Sequence, residues 1–63
     1  MRTNNSLARG LKMLEYIASA SEGVKVVTLA REFSMPTSNT VLFLNSLLFT
    51  GYVIKNPVDN RYY

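Results

Sequence analysis

The sequence predicts a mainly α-helical fold that ends in a small β-hairpin, with three helices and a wing of two or three strands. Three observations lead to this prediction. Apolar residues recur at three- and four-residue spacing in the first third of the chain, which is typical of an amphipathic helix. A proline opens a long uncharged stretch in the middle of the chain. Near the end, β-branched and aromatic residues flank a turn-forming segment.

The first predicted helix runs from residue 7 to about residue 20. Ser6 is the expected N-cap, because a serine side chain accepts a hydrogen bond from a backbone N–H of the first turn. Gly23 is expected to end this region, since glycine adopts the left-handed backbone conformation freely. The β-branched residues of segment 24–27 then predict a short strand or an extended segment. The apolar face of the first helix consists of Leu7, Leu11, Leu14, Ile17 and Ala18.

A second and a third helix are predicted on either side of a proline break. The second helix covers residues 29–33, and segment 34–36 ends it because proline disfavours helical geometry in the residue before it. The third helix covers residues 36–49, where the proline suits the first turn, and Gly51 closes it. The core-facing residues of the third helix are Thr40, Phe43, Leu44 and Leu47.

The end of the chain predicts the hairpin. Residues 52–55 are expected to form one strand, residues 56–60 a turn, and residues 61–63 the returning strand. Asn60 tolerates the positive φ angle that such turns often need. The extended segment near Val26 is expected to pair with this hairpin.

Two short helices joined by a turn of about four residues, with a hairpin directly after them, have the connectivity of a winged helix-turn-helix. Residues 1–63 are therefore expected to form a single domain of this type, since a chain of this length supports one small core. A plain three-helix bundle is the alternative. The predicted core consists of Leu7, Leu11, Leu14, Ile17, Leu29, Ala30, Phe33, Phe43, Leu44, Leu47 and Val53.

The composition argues against catalysis and points to binding. The chain has no cysteine and no histidine, so it lacks the commonest metal ligands and the commonest general base. We therefore expect no enzyme activity, no metal and no cofactor. The net charge of +3 is compatible with a polyanionic partner. No signal-peptide core opens the chain, so a cytoplasmic location is expected, and Pro36, Asn45 and Gly51 interrupt the uncharged stretch 33–54 too often for a membrane span.

Several segments resemble the DNA-binding domain of the IclR family of bacterial transcriptional regulators. The resemblance covers essentially the whole chain in register. In that family this domain precedes a larger effector-binding domain, so the chain is either an excised domain or a small stand-alone protein, and the sequence leaves both open. The segments are residues 6–15, Leu29 with Ala30, residues 35–39, Phe43 with Leu44, Leu47, residues 51–53, Pro57, and Arg61 with Tyr62.

The resemblance implies double-stranded DNA as the partner, with the third helix in the major groove and the wing on the backbone. Asn45 is then placed to pair with adenine. Helix capping is the alternative role of Thr37 and Ser38, and a solvated surface charge is the alternative for Lys55 and Arg61. As a wing residue, Arg61 is expected to pack against little. The implied DNA-binding residues are Arg9, Thr37, Ser38, Asn39, Leu42, Asn45, Lys55 and Arg61.

The chain departs from the family pattern at the proposed DNA-binding surface. Thr37 and Leu42 stand where the family commonly has basic residues, and Val27 stands where it has a polar cap. A protein-interaction or homodimerisation module is therefore the alternative function, and a purely structural part of a larger assembly is the third. Positive charge gathered beside the third helix favours DNA. The interaction patch of the alternative consists of Val41, Leu42, Leu48 and Phe49.

Overall fold

The computed structural model describes residues 1–63 and contains three helices: α1 Asn5–Ser19, α2 Val26–Glu32 and α3 Thr37–Phe49. The mainly α prediction with three helices is confirmed. The N-cap of α1 is Asn4 rather than Ser6, because the Asn4 side chain accepts a hydrogen bond of 2.9 Å from the Leu7 N–H. Asparagine and serine cap equally well, so the sequence does not choose between neighbours.

α2 starts earlier than the sequence predicts. Val26 and Val27 are helical, so the predicted strand at 24–27 is wrong except for Val24, which pairs with Tyr62. The N-cap of α2 is Lys25, and Val27 therefore lies inside the helix rather than at its cap. Packing explains the difference, because the helix buries Leu29 and Ala30 and contacts α3, and such burial overrides a weak β-preference.

Four residues, 33–36, join α2 to α3, as predicted for the helix-turn-helix. Ser34 takes a left-handed conformation, with φ of 51°. The Met35 N–H then bonds the Ala30 carbonyl at 2.9 Å, and the Ser34 N–H bonds the Arg31 carbonyl at 3.2 Å, which is a Schellman ending. Met35 is buried, so the turn is anchored in the core.

The core lies among the three helices and the last residues of the chain. Core positions are confirmed for Ile17, Leu29, Ala30, Leu44 and Val53, and Leu14, Phe33, Phe43 and Leu47 are half-buried against them. Thr40, predicted to face the core, is fully buried, and its hydroxyl donates to the Pro36 carbonyl at 3.1 Å. The buried apolar residues are Met13, Ile17, Val24, Leu29, Ala30, Met35, Leu44, Val53 and Tyr62.

The predicted core positions Leu7 and Leu11 are wrong, because their side chains are 62% and 54% exposed. α1 has two neighbouring apolar stripes, and the one that faces the core is formed by Met13 and Ile17. The first two turns of α1 contain no buried residue. Leu7 and Leu11 therefore belong to a part of α1 that extends past the core, and Ala18 is also exposed.

Gly51 ends α3 in the way that the sequence predicts. Its φ angle is +84°, its N–H bonds the Leu48 carbonyl at 3.1 Å, and the Tyr52 N–H bonds the Leu47 carbonyl at 3.0 Å. These bonds satisfy carbonyls that the end of a helix leaves without partners. Gly23 likewise has a positive φ, of 78°, after α1.

The predicted β-hairpin wing is not confirmed, because no residue belongs to a regular strand. Two isolated antiparallel bridges are present instead, Val24 with Tyr62 and Lys55 with Tyr62. Each pairing is short for a physical reason: α2 begins at Val26, and the turn begins directly after residue 56. The expected pairing of the hairpin with the segment near Val26 is made by Val24 alone.

Side-chain hydrogen bonds stabilise the predicted turn, residues 56–60. The Asn56 Oδ1 atom accepts from the Val58 N–H at 2.8 Å, and the Asp59 Oδ1 atom accepts from the Arg61 N–H at 2.9 Å. Asn60 has the positive φ expected of it, at 60°.

No helix of the chain has the length and apolar character needed to cross a bilayer.

Candidate nucleic-acid interface

The exposed face of α3 carries most of the predicted site. Ser38, Leu42 and Asn45 follow one another at four- and three-residue spacing, so they share the face opposite the fully buried Leu44. Thr37 and Asn39 are exposed in the first turn. The N-cap of α3 is Pro36, and no side chain caps this helix. Capping is therefore not the role of Thr37 or Ser38, and their hydroxyls are free to bind.

This face is uncharged and partly apolar. No charged residue occurs from residue 33 to residue 54, and the Leu42 side chain is 64% exposed. The four residues of the predicted interaction patch differ in exposure. Phe49 is exposed, but Val41 is half-buried and Leu48 packs against the core. The apolar positions that α3 offers to a partner are thus Leu42 and Phe49.

The two predicted wing cations differ in their surroundings. Lys55 is exposed, and its Nζ atom lies 5.6 Å from the centroid of the Tyr62 ring, within range of a cation–π contact. Arg61 is half-buried, and its Nη1 atom donates to the Glu22 carbonyl at 3.2 Å. The expectation that Arg61 packs against little is wrong, because the guanidinium ties the last residues to the turn between α1 and α2.

Arg9 is exposed in the second turn of α1 and takes part in no ion pair. The only ion pair of the chain joins Lys12 to Glu15 at 3.4 Å, and both side chains are exposed. Such a surface pair contributes little to stability. All the other cations, including those of the candidate site, therefore have no carboxylate partner.

Sequence reasoning missed two residues beside Arg61. Lys25 and Thr28 line a cleft of about 460 Å³ together with Arg61, between the end of α1, the start of α2 and the last residues of the chain. Lys25 lies beside Arg61 because the antiparallel bridge of Val24 with Tyr62 places Lys25 and Arg61 opposite each other. This pairing is a tertiary contact that no local signal in the sequence shows.

A second concave surface, the α1–α3 groove, is lined by residues of α1, of α3 and of the segment that follows α3. It has a volume of about 630 Å³, and Leu42 lies at its margin as well as on the exposed face. None of its lining residues is charged at neutral pH. The lining residues are Asn4, Ser6, Leu7, Gly10, Leu11, Leu14, Leu42, Phe43, Ser46, Leu47, Thr50 and Tyr52.

Comparison with known proteins finds similarity over most of the chain. The family model of the IclR helix-turn-helix domain matches residues 6–57. The chain is 40% identical over 48 residues to the transcriptional repressor IclR of Escherichia coli strain K12, and equally to the acetate operon repressor of Salmonella typhimurium strain LT2. Each match covers 76% of this chain and 18% of the relative, so the chain spans about a fifth of its relatives' length. No solved structure matches significantly.

Proposed function

The chain belongs to the family of IclR helix-turn-helix domains, and on this premise we propose that it is the DNA-binding part of a transcription regulator. In this proposal α3 enters the major groove, and the turn after it lies on the phosphate backbone. Both matched relatives are named as repressors. We propose DNA binding for this chain, and the proposal does not include repression.

The observation that supports this proposal best is the exposed face of α3. Asn45 offers an amide that matches the adenine edge in the major groove, and Leu42 offers an apolar contact for a thymine methyl group. Thr37, Ser38 and Asn39 add hydroxyl and amide groups at the N-terminal end of the helix, where phosphate oxygens and base edges are both within reach. This set of side chains favours A·T-rich sites.

Phosphate contacts come from outside α3 in this proposal. Neutralisation of phosphates supplies much of the affinity for DNA, and α3 has no cation to contribute. Arg9 on α1, with Lys55 and Arg61 after α3, are the proposed contacts, and all three lack an ion-pair partner. We therefore expect modest affinity for a single copy of the domain.

Replacement of Asn45 by alanine tests the groove contact. We expect Asn45→Ala to lose about 1–3 kcal/mol of discrimination at one base position, because the amide that reads the base edge is gone. Duplexes enriched from a mixed pool, with single base changes, supply the measurement by fluorescence anisotropy. Asn5→Ala is the matched control, since it removes the same group from an exposed position on α1. Equal base preferences in the two variants would refute the proposed role of Asn45.

A protein-interaction or homodimerisation module is the second candidate function. The α1–α3 groove supports it, because the groove is mostly apolar and contains no charged residue. Like-charged copies with a net charge of +3 repel each other least through such a surface. Leu42 belongs to this groove and to the exposed face of α3, so substitutions of Leu42 separate the two candidates.

A further inference from the structure

The cleft that contains Lys25 and Arg61 has the chemistry of an anion site. It is about 460 Å³ in volume and open to solvent, and its lining includes two cations and no carboxylate. Neither cation takes part in an ion pair, since the only pair in the chain is Lys12 with Glu15. The remaining lining residues are Tyr16, Ser19, Ala20, Gly23, Val24 and Thr28.

Backbone pairing fixes the two cations beside each other. Val24 and Tyr62 exchange two hydrogen bonds, of 3.0 and 2.8 Å, in an antiparallel bridge. Lys25 and Arg61 are the next residues along each arm, so they oppose each other on the face away from the buried side chains of Val24 and Tyr62. Like charges directly opposite each other destabilise a pairing. A bound anion removes that repulsion.

The donors of the cleft are partly preorganised for a phosphate. The hydrogen bond from Arg61 Nη1 to the Glu22 carbonyl holds the guanidinium and leaves its other N–H groups free. Thr28 and Tyr16 add hydroxyl groups to the lining of the cleft. A guanidinium, an ammonium and hydroxyl groups around one open space form the donor set that binds phosphate oxygens.

We propose that this cleft binds a phosphate group, and that a phosphate of the DNA backbone occupies it in the protein–DNA complex. The second part rests on the proposed function. The site adds Lys25 and Thr28 to the DNA-binding residues and gives Arg61 a partner in that role. It supplies part of the charge neutralisation that the uncharged α3 does not provide.

Lys25→Gln tests the site on DNA, with Lys12→Gln as the matched control that removes one exposed ammonium elsewhere. We expect Lys25→Gln to bind mixed-sequence duplex about tenfold more weakly at low salt, because a charge-assisted hydrogen bond is lost. The slope of log K against log salt should become shallower by less than about one, because Arg61 still contacts the shared phosphate. Lys25 caps no helix with its side chain, and its loss removes the repulsion from Arg61, so the melting temperature should not fall.

A double variant tests whether the two cations share one phosphate. Lys25→Gln combined with Arg61→Gln should flatten the slope by about one in total, because only one phosphate is lost. A change of about two would overturn the shared site. The thermal melt of each variant identifies any loss of folding from the missing bond between Arg61 and Glu22.

Titration of the wild-type protein with inorganic phosphate separates this proposal from the proposed function. Binding in the cleft should shift the amide NMR signals of Lys25 and Thr28, and Lys25→Gln should abolish the shifts. If the wild type binds no DNA and these shifts occur, the proposed function fails and the cleft is a site for a free phosphate compound. If Lys25→Gln matches Lys12→Gln on DNA and phosphate shifts neither amide, the phosphate site is overturned.

Discussion

Leu44→Ala is expected to lower the free energy of unfolding by about 2–5 kcal/mol. Leu44 has no exposed surface and lies at the centre of the face that α3 turns to the core, among Met13, Leu29 and Val53. Removing most of its side chain leaves a cavity, because the packed helices around it relax only in part. Because a small domain has only about 5–10 kcal/mol of stability, this one change should remove much of it. Urea unfolding followed by circular dichroism measures the loss.

Leu42→Ala is the matched control for this stability prediction. It deletes the same atoms from the opposite side of α3, where the side chain is 64% exposed. Such a surface change should alter the free energy of unfolding by no more than about 0.5 kcal/mol. A Leu44→Ala protein as stable as Leu42→Ala would contradict the orientation of α3.

The second large effect is expected from the charge at position 42. Leu42→Arg places a cation in the middle of the exposed face of α3, so nonspecific DNA binding should tighten and its salt slope should steepen by about 0.9. Leu42→Glu places an anion at the same point and should weaken binding. The two affinities should differ by about a hundredfold at low salt, which corresponds to roughly 3 kcal/mol. Fluorescence anisotropy with a mixed-sequence duplex measures both.

The same pair of variants tests the second candidate function. A charge at position 42 also enters the margin of the α1–α3 groove. If all three proteins fail to bind DNA, and analytical ultracentrifugation shows wild-type dimers that both substitutions abolish, the interaction module is correct and the DNA-binding proposal is wrong.

Local signals in the sequence predicted much of the fold. The three- and four-residue spacing of apolar residues places α1 and α3 within two residues of their observed ends. Gly23, Gly51 and Asn60 all have the positive φ angles that were expected of them. These predictions hold because helix ends and the φ angles of turn residues depend mainly on residues that are neighbours in the sequence.

Tertiary contacts determine the parts that sequence reasoning missed. α1 has one apolar stripe through Leu7 and Leu11 and another through Met13 and Ile17, and only packing decides which stripe faces the core. Val26 has β-branched character, yet it begins a helix because α2 packs against α3. The hairpin prediction identified the turn correctly, but it predicted regular strands where the structure has two isolated bridges.

The candidate site was also predicted where local spacing sufficed and missed where a tertiary contact was needed. Ser38, Leu42 and Asn45 are exposed as the helical period requires once Leu44 is assigned to the core. Lys25 was missed because its proximity to Arg61 depends on the bridge between Val24 and Tyr62. The spacing of residues along the sequence does not show that these two residues pair.

Salt dependence of wild-type binding tests DNA binding most directly. Arg9, Lys25, Lys55 and Arg61 are the proposed phosphate contacts, with Lys25 and Arg61 sharing one phosphate. Binding to a mixed-sequence duplex, measured by anisotropy over a range of salt concentrations, should therefore give a slope of log K against log salt of about −2 to −3. A protein that is folded by circular dichroism and shows no binding at low salt, or binding that salt does not weaken, would contradict the proposal.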